Sequence, residues 1–367
     1  MTNLRESAGQ LLWIGFEADA WNAGLEELLE TVRPGGVIFF QRNIQTAEQF
    51  GGLVRQCATF LRERSGLTPF LAVDLEGGKV DRFRELIAPL PSVRESVEAR
   101  KARELGRVAG REVAGFSLNV DFAPVLDLAS AESASVLGSR TAGESPEEVV
   151  RFAEEFLAGL AESRILGCGK HFPGLGSGCL DSHLAMPRIE KSAEHLWAND
   201  LAPYQSLAAQ LPMVMVAHAA YPALEADAAL PASLSRQIVT GVLKEKIGFE
   251  GLVLSDDLEM GGVLEGRTVG EAAVQAIEAG CDMLLVCRRA EYVREALKAI
   301  VGRAERDEAF RAVTEQAAGK VVRARRALPE VEESKPNTVG ALRAEIQTLT
   351  AEIGQHLASG VRKGIGV

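Results

Sequence analysis

Eight short apolar runs recur along the chain, and this pattern restricts the fold more than any other feature of the sequence. Each run is rich in aliphatic and β-branched residues and ends in polar ones. Near-continuous apolar runs of this kind are typical of strands that are buried on both faces of a parallel sheet. We therefore predict eight strands, at residues 10–16, 35–40, 70–78, 118–128, 167–174, 214–221, 251–260 and 281–287.

Helix-like segments separate these runs, with apolar residues three and four positions apart. The clearest is SPEEVVRFAEEFLAGLAESR (145–164), which opens with Ser145 as a candidate N-cap. Eight alternating units predict an α/β protein with a (β/α)8 TIM-like barrel, and a doubly wound open sheet is the alternative. The other helices are predicted at 19–32, 46–64, 99–114, 193–209, 235–247, 269–279 and 291–326.

The composition changes after Ala327 to the charged, proline-containing run PEVEESKPNT, and a helical pattern begins at Val339. We predict a barrel domain over 1–328, then a linker and C-terminal helical extension over 329–367. The extension carries a nearly heptad seam, which predicts either a homo-oligomer contact or packing on the barrel surface. The seam consists of Leu342, Ile346, Leu349, Ile353 and Leu357.

Charge and cysteine content exclude several kinds of partner. The net charge of −11 argues against a nucleic acid, because phosphate binding needs clustered Lys and Arg. The N-terminus lacks the pattern of a signal peptide and no run is long enough to span a membrane, so we expect a cytoplasmic protein without membrane contact. The five cysteines include no CxxC pair and no zinc-ligand spacing, so we expect a reducing compartment, no metal and no cofactor.

Polar side chains follow several of the predicted strands, at the end where a (β/α)8 barrel assembles its active site. Charges of both signs at one barrel mouth are costly to desolvate without a function, and together they suggest a polyhydroxylated ligand. Taken singly, His218 and Asp257 are better explained as a buried histidine and a helix-capping carboxylate. The full set is Asp74, Glu76 and Arg82 after strand three, Lys170 and His171 after strand five, His218 after strand six, and Asp256 and Asp257 after strand seven.

Two groups of residues offer the chemistry that cleaves a glycosidic bond, which needs a proton donor and a group that attacks or stabilises the anomeric carbon. Asp256 lies at the tip of an apolar strand, where a short carboxylate can be aimed at that carbon, and Asp257 competes for the role. In the glycine-rich loop after strand five, Asp181 and His183 lie two positions apart and can form a hydrogen-bonded proton-transfer pair. Either of them can instead stabilise the loop.

Seven motifs, in this order along the chain, resemble glycoside hydrolase family 3 and specifically its single-barrel β-N-acetylglucosaminidases. The resemblance implies a retaining enzyme in which Asp256 is the nucleophile and His183, paired with Asp181, is the acid and then the base. It also implies sugar contacts from Asp74, Arg82, Arg140, Lys170 and His171, and a small carbohydrate substrate. The motifs are GGVIFFQRNI (35–44), AVDLEGGKVDRF (72–83), NVDFAPVLDL (119–128), KHFPGLGSGCLDSHLAMP (170–187), VMVAHAAYP (214–222), PASLS (231–235) and SDDLEM (255–260).

Two departures from the family pattern concern the substrate. Leu175 stands where the family has a second histidine in KHFPGHG, and Arg140 is followed by Thr and Ala where the family reads RSF. Our leading hypothesis is a cytoplasmic exo-β-N-acetylglucosaminidase that trims cell-wall muropeptides. The alternatives are phosphorolysis, since a histidine acid repels an incoming phosphate less than a carboxylate does, and a catalytically silent sugar-binding barrel.

Overall fold

The computed structural model describes residues 4–176, 186–328 and 338–363. Eight parallel strands close into a barrel in which each strand pairs with its neighbours in the chain and the last pairs with the first. This closure confirms the predicted (β/α)8 barrel and excludes the doubly wound sheet, and every predicted run overlaps one barrel strand. The strands are β1 Leu12–Ile14, β2 Gly36–Phe39, β3 Phe70–Val73, β4 Val120–Asp121, β5 Leu166–Phe172, β6 Met213–Val216, β7 Leu252–Asp257 and β8 Met283–Val286.

Helices surround the barrel, and none in the described ranges is long and apolar enough to cross a membrane. Several begin with a capping box, such as Ser145 with Glu148 at the start of the predicted 145–164 helix. They are α1 Leu4–Gln10, α2 Ala23–Val32, α3 Ala47–Ser65, α4 Val93–Glu98, α5 Ala102–Gly115, α6 Pro146–Ala161, α7 Ala193–Ala198, α8 Ala202–Leu207, α9 Gly261–Leu264, α10 Val269–Ala279, α11 Ala290–Arg306, α12 Glu308–Arg326 and α13 Thr338–Lys363, with a π-helix at Gln237–Lys246.

Two predicted helices are interrupted in the structure. The predicted helix 291–326 divides into α11 and α12 at Asp307, whose side chain accepts a hydrogen bond from the Phe310 amide as the N-cap of α12. The predicted helix 193–209 divides into α7 and α8, and Pro203 lies in the first turn of α8. Proline has no N–H to donate, so it suits the start of a helix and disrupts its interior.

The barrel interior is filled with side chains rather than hollow. Trp13 lies at its centre, with the Phe70 ring stacked at 5.1 Å and the Phe122 ring at 4.9 Å between centroids. The N-terminal end is closed by α12, where the buried Arg325 donates to the carbonyl oxygens of Thr68 and Leu67. A ligand site on this barrel therefore belongs at the other end, where the strands finish.

The seam of the C-terminal helix α13 packs on the barrel surface, which is one of the two arrangements predicted for it. Leu342, Ile346, Leu349 and Ile353 are buried, and α13 lies against α5. The homo-oligomer stays a prediction. The domain boundary at 328 also stays a prediction, because residues 329–337 lie outside the described residues.

Candidate active site

A cavity of about 220 Å³ opens at the C-terminal ends of the strands. A larger groove, of about 1060 Å³, lies on the outer surface between α10 and α11, away from the strand ends. We place the site in the smaller cavity because charged side chains converge there from separate strands. Its walls include all the predicted sugar contacts and the predicted nucleophile: Asp74, Arg82, Arg140, Lys170, His171 and Asp256.

Five alternating charges form a continuous chain along one wall of this cavity. The Lys170 ammonium lies at the centre, 3.0 Å from an Asp74 oxygen and 2.6 Å from a Glu76 oxygen. Arg82 donates to the other Asp74 oxygen at 2.9 Å. Arg140 donates to both Glu76 oxygens, at 2.7 and 2.9 Å. We call this set the ion chain; it brings together residues from three separate parts of the sequence.

The members of the ion chain keep one another charged. Burial alone would raise the pKa of Asp74 and of Glu76, but the neighbouring cations, Lys170 first, lower the pKa of Asp74 below its ordinary range and that of Glu76 to about 2. Burial alone would lower the pKa of Lys170, but the two carboxylates raise it above its ordinary range. The wall therefore presents fixed cations and anions at neutral pH.

A short hairpin, Leu75–Gly77 with Val80–Asp81, places Glu76 and Arg82 in this wall. Its turn passes through Gly77 and Gly78, whose φ angles of 92° and 58° favour glycine. A Cβ on Gly77 would also lie 2.4 Å from the Pro91 carbonyl oxygen. The two glycines of the DLEGG sequence are therefore required by backbone conformation and by close packing.

The imidazole of His171 is held by a buried carboxylate. Asp127 lies 2.7 Å from His171 Nδ1, and its other oxygen accepts a hydrogen bond from the Leu175 amide at 2.6 Å. With the carboxylate accepting, Nδ1 carries the proton and the ring orientation is fixed. Asp127 thus positions both a cavity side chain and the first part of the segment that follows β5.

Asp256 and Asp257 end β7 and both line the cavity, but their carboxylates have different surroundings. Asp256 accepts a hydrogen bond from the Asp257 amide at 2.8 Å. Asp257 accepts from the amides of Glu259 and Cys287, at 3.0 and 3.1 Å, so its carboxylate ties the end of β7 to β8. Burial raises the pKa of Asp257 to about 7. A carboxylate that bonds two backbone amides has a structural task, although not the helix-capping one expected, because the next helix, α9, has Met260 at its N-cap.

His218 is buried behind Asp257 and fully hydrogen-bonded. Its Nε2 lies 3.0 Å from the Asp257 carbonyl oxygen, and its Nδ1 lies 2.6 Å from the Ser233 hydroxyl oxygen. Since a carbonyl only accepts, Nε2 carries the proton and Nδ1 accepts from the hydroxyl. Burial lowers the pKa of His218, which favours this neutral form. His218 is therefore a buried core histidine in which both ring nitrogens have hydrogen-bond partners.

Asp181 and His183 lie outside the described residues, which stop at Gly176 and resume at Met186. The last described residues before this gap are well anchored. Tyr221 donates its hydroxyl hydrogen to the Gly174 carbonyl at 2.8 Å, and the Leu175 amide donates to Asp127. Leu175, which stands in place of the second histidine of the family, lines the cavity.

Residues 3–324 match the model of the Glycosyl hydrolase family 3 N terminal domain. The chain belongs to glycosyl hydrolase family 3. It is 38% identical to a β-hexosaminidase of Alkalilimnicola ehrlichii over 78% of this chain and 83% of that protein. A family 3 β-N-acetylglucosaminidase structure from a Paenibacillus species superposes with a TM-score of 0.84 at 29% identity, covering 94% of this chain and 68% of that chain. The native NagZ structure from Neisseria gonorrhoeae superposes with a TM-score of 0.77 at 31% identity, covering 92% and 97%.

Membership of family 3 confirms the resemblance that the motifs carried, and makes this chain a glycoside hydrolase. The cavity gives roles to two residues that are not among the catalytic residues and sugar contacts implied by the resemblance. Glu76 bridges Lys170 and Arg140, and Asp127 holds His171. Glu76 is among the polar residues expected at the barrel mouth because it directly follows strand three, whereas Asp127 lies within the apolar run of strand four, one residue before its end at Leu128.

Proposed function

We propose that this family 3 enzyme is a retaining exo-β-N-acetylglucosaminidase that releases terminal β-linked N-acetylglucosamine. The observation that carries the proposal is the position of Asp256 in the same small cavity as the ion chain. The filled barrel closes this cavity from below, and a closed cavity suits an enzyme that takes only the terminal sugar of a chain. The activity in the names of its relatives supports the same substrate class.

The proposed reaction has two displacements at the anomeric carbon, and Asp256 attacks in the first. A bond forms between an Asp256 oxygen and the anomeric carbon while the glycosidic oxygen leaves with a proton from His183. Water then attacks the same carbon, gives its proton to His183 and releases the Asp256 carboxylate. Asp181 orients the imidazole. Two inversions retain the β configuration.

The ion chain and His171 are proposed to hold the sugar through its hydroxyl groups. Charged donors and acceptors form strong hydrogen bonds with hydroxyls, and their mutual pairing fixes them before the sugar arrives. Arg82 offers a further donor, because its Nε is buried and has no hydrogen-bond partner among the described residues. Hydrogen bonds that shorten as the ring distorts would lower the barrier as well as improve binding.

A mechanism-based label tests the assignment of the nucleophile. A fluoro-sugar that slows the second displacement should leave a covalent adduct on Asp256, located by mass spectrometry of peptides. Asp256→Asn should abolish hydrolysis of an aryl N-acetylglucosaminide. Asp257→Asn is the matched control and should retain activity. An adduct on another residue, or hydrolysis at the original rate by Asp256→Asn, would disprove the mechanism.

Two further assays address the acid/base pair and the acceptor. The first displacement needs protonated His183 and the second needs it neutral, so the pH profile should be bell-shaped near neutrality. A flat profile would count against His183. Turnover should be the same in phosphate and in an inert buffer, with no sugar 1-phosphate formed; its appearance would instead identify a phosphorylase.

The natural substrate is proposed to be a cell-wall muropeptide with a terminal N-acetylglucosamine, cleaved in the cytoplasm. Incubation with purified muropeptides should release free N-acetylglucosamine, detected by chromatography, and cell fractionation should find the protein in the cytoplasmic fraction. Leu175 lines the cavity, so Leu175→His should alter the preference between muropeptide and aryl leaving groups. An unchanged preference would remove Leu175 from substrate selection.

A further inference from the structure

Helix α13 lies beyond the part of the chain that matches the family domain, which ends at residue 324. It docks on helix α5, which itself packs against the hairpin of the cavity. Glu345 of α13 forms ion pairs with Arg107 and Arg111 of α5, at 3.4 and 2.6 Å. The helix therefore lies on the side of the barrel where Arg82 enters the site.

One residue of α13 contacts the loop that leads out of the cavity wall. Arg343 donates to the Ile87 carbonyl oxygen at 2.7 Å and to the Leu86 carbonyl oxygen at 3.2 Å. The amides of Leu86 and Ile87 in turn donate to the Phe83 carbonyl oxygen, at 2.9 and 2.8 Å. The guanidinium thus holds a turn whose first residue directly follows Arg82.

The position of the Arg82 side chain depends more on the position of its backbone than is the case for Arg140. Arg140 is fixed by two hydrogen bonds to Glu76, while Arg82 donates to Asp74 through one nitrogen and its Nε has no partner among the described residues. The Arg82 guanidinium also lies over the Phe40 ring, 5.5 Å from its centroid, but a side chain held by one hydrogen-bonding partner is positioned largely by its backbone. The loop after Arg82 therefore bears on the geometry of the sugar site.

The two ends of this loop, residues 83–90, are held together by the buried carboxylate of Asp81. The two oxygens of Asp81 accept from the amides of Phe83 and Leu90, each at 2.9 Å. These bonds fix the two ends of the loop, and Arg343 fixes its outer turn. We infer that Arg343 is a positioning residue, through which the C-terminal helix holds Arg82 in place for sugar binding. The kinetic part of this inference rests on the proposed function of the cavity.

The test compares Arg343→Ala and Arg343→Lys with Glu345→Gln in the 367-residue chain. Glu345→Gln weakens the docking of α13 on α5 and leaves the loop contact in place, so it is the matched control. Two quantities are measured: hydrogen exchange over residues 83–90 by mass spectrometry, and KM and kcat for an aryl N-acetylglucosaminide. The exchange measurement does not depend on activity.

We expect Arg343→Ala to speed exchange over residues 83–90 and to raise KM about threefold to tenfold, the effect of one or two lost hydrogen bonds. The value of kcat should fall as well, because the contacts of the ion chain are proposed to strengthen as the ring distorts and so to lower the barrier. Arg343→Lys keeps the charge and one donor group, so it should give intermediate values. Glu345→Gln should match the unaltered protein in both measurements.

Three results would overturn the inference: unaltered exchange in Arg343→Ala, faster exchange with an unaltered KM, or equal effects of Arg343→Ala and Glu345→Gln. The last would mean that α13 acts only by stabilising the fold. A different result, no hydrolysis by the unaltered protein, would refute the proposed function. The exchange comparison would then decide alone whether Arg343 holds the loop.

Discussion

Glu112 predicts an unusual dependence of stability on pH. This residue of α5 is buried, and neither of its carboxylate oxygens has a hydrogen-bond partner among the described residues. Burial raises the pKa of Glu112 well above its ordinary value of 4.5, and the negative charges of Asp81 in the hairpin and Asp121 in β4 raise it further. The folded protein therefore keeps this carboxyl group protonated at a pH where the unfolded chain has lost the proton.

The sign and the size of the effect follow from proton linkage. Well below pH 4.5 both states bind the proton, so Glu112 makes no contribution to the pH dependence of stability there. Above it, only the folded state does, so the free energy of unfolding falls by about 1.4 kcal/mol per pH unit until the folded group ionises. Glu112→Gln cannot ionise, so its stability relative to the unaltered protein should rise with pH above 4.5, at up to that slope.

Denaturant unfolding at pH 5.5, 6, 6.5 and 7 measures this slope directly. Glutamine has nearly the shape of glutamic acid, so any packing penalty is the same at each pH and only the slope is diagnostic. Glu104→Gln, at a partly exposed glutamate of the same helix, should give a difference that does not vary over this range. A difference for Glu112→Gln that is equally flat would refute the reasoning.

Substitutions at three other positions test the cavity wall and its support. Lys170→Met leaves two buried carboxylates without their shared cation, so unfolding measurements should show a loss of about 3 kcal/mol and calorimetry a loss of sugar binding. Asp121 accepts a hydrogen bond from the amide of Leu75 at 3.0 Å and so holds the first residue of the hairpin in place. Asp121→Asn keeps an acceptor oxygen and should keep kcat/KM, whereas Asp121→Ala removes it and should lower kcat/KM about tenfold. Gly77→Ala places a methyl group against the Pro91 carbonyl at positive φ and should lower the unfolding free energy by about 2 kcal/mol.

The fold was predictable because barrel strands are buried on both faces, which leaves an apolar run in the sequence for each of them. Breaks within helices were harder to predict. The pattern of apolar residues continues through Asp307, although its side chain caps the start of α12 and ends α11. Periodicity reports which face is buried, while local hydrogen bonds decide where a helix stops.

The site was predictable to the extent that barrel topology brings strand ends together. That rule gathers Asp74, Lys170, His171 and Asp256 in one cavity without any knowledge of side-chain direction. Predicting which side chains form pairs across the cavity does require knowledge of side-chain direction. Asp127 and His171 are 44 residues apart, so only the folded arrangement of strands shows that they meet. The roles of Asp181 and His183 stay predictions, since both lie outside the described residues.

The charges of the cavity bear on the second step of the proposed reaction. Two carboxylates and three cations make up the ion chain, so its net charge is positive by one unit. The Asp256 carboxylate lines the same cavity and is one counter-charge to the ion chain in the free enzyme. In the covalent intermediate Asp256 is a neutral ester, and the surplus positive charge remains. It then favours the departure of Asp256 as a carboxylate when water attacks, because preorganised charges stabilise an anion as it develops. The wall that is proposed to bind the sugar would thereby also promote its release from the proposed nucleophile.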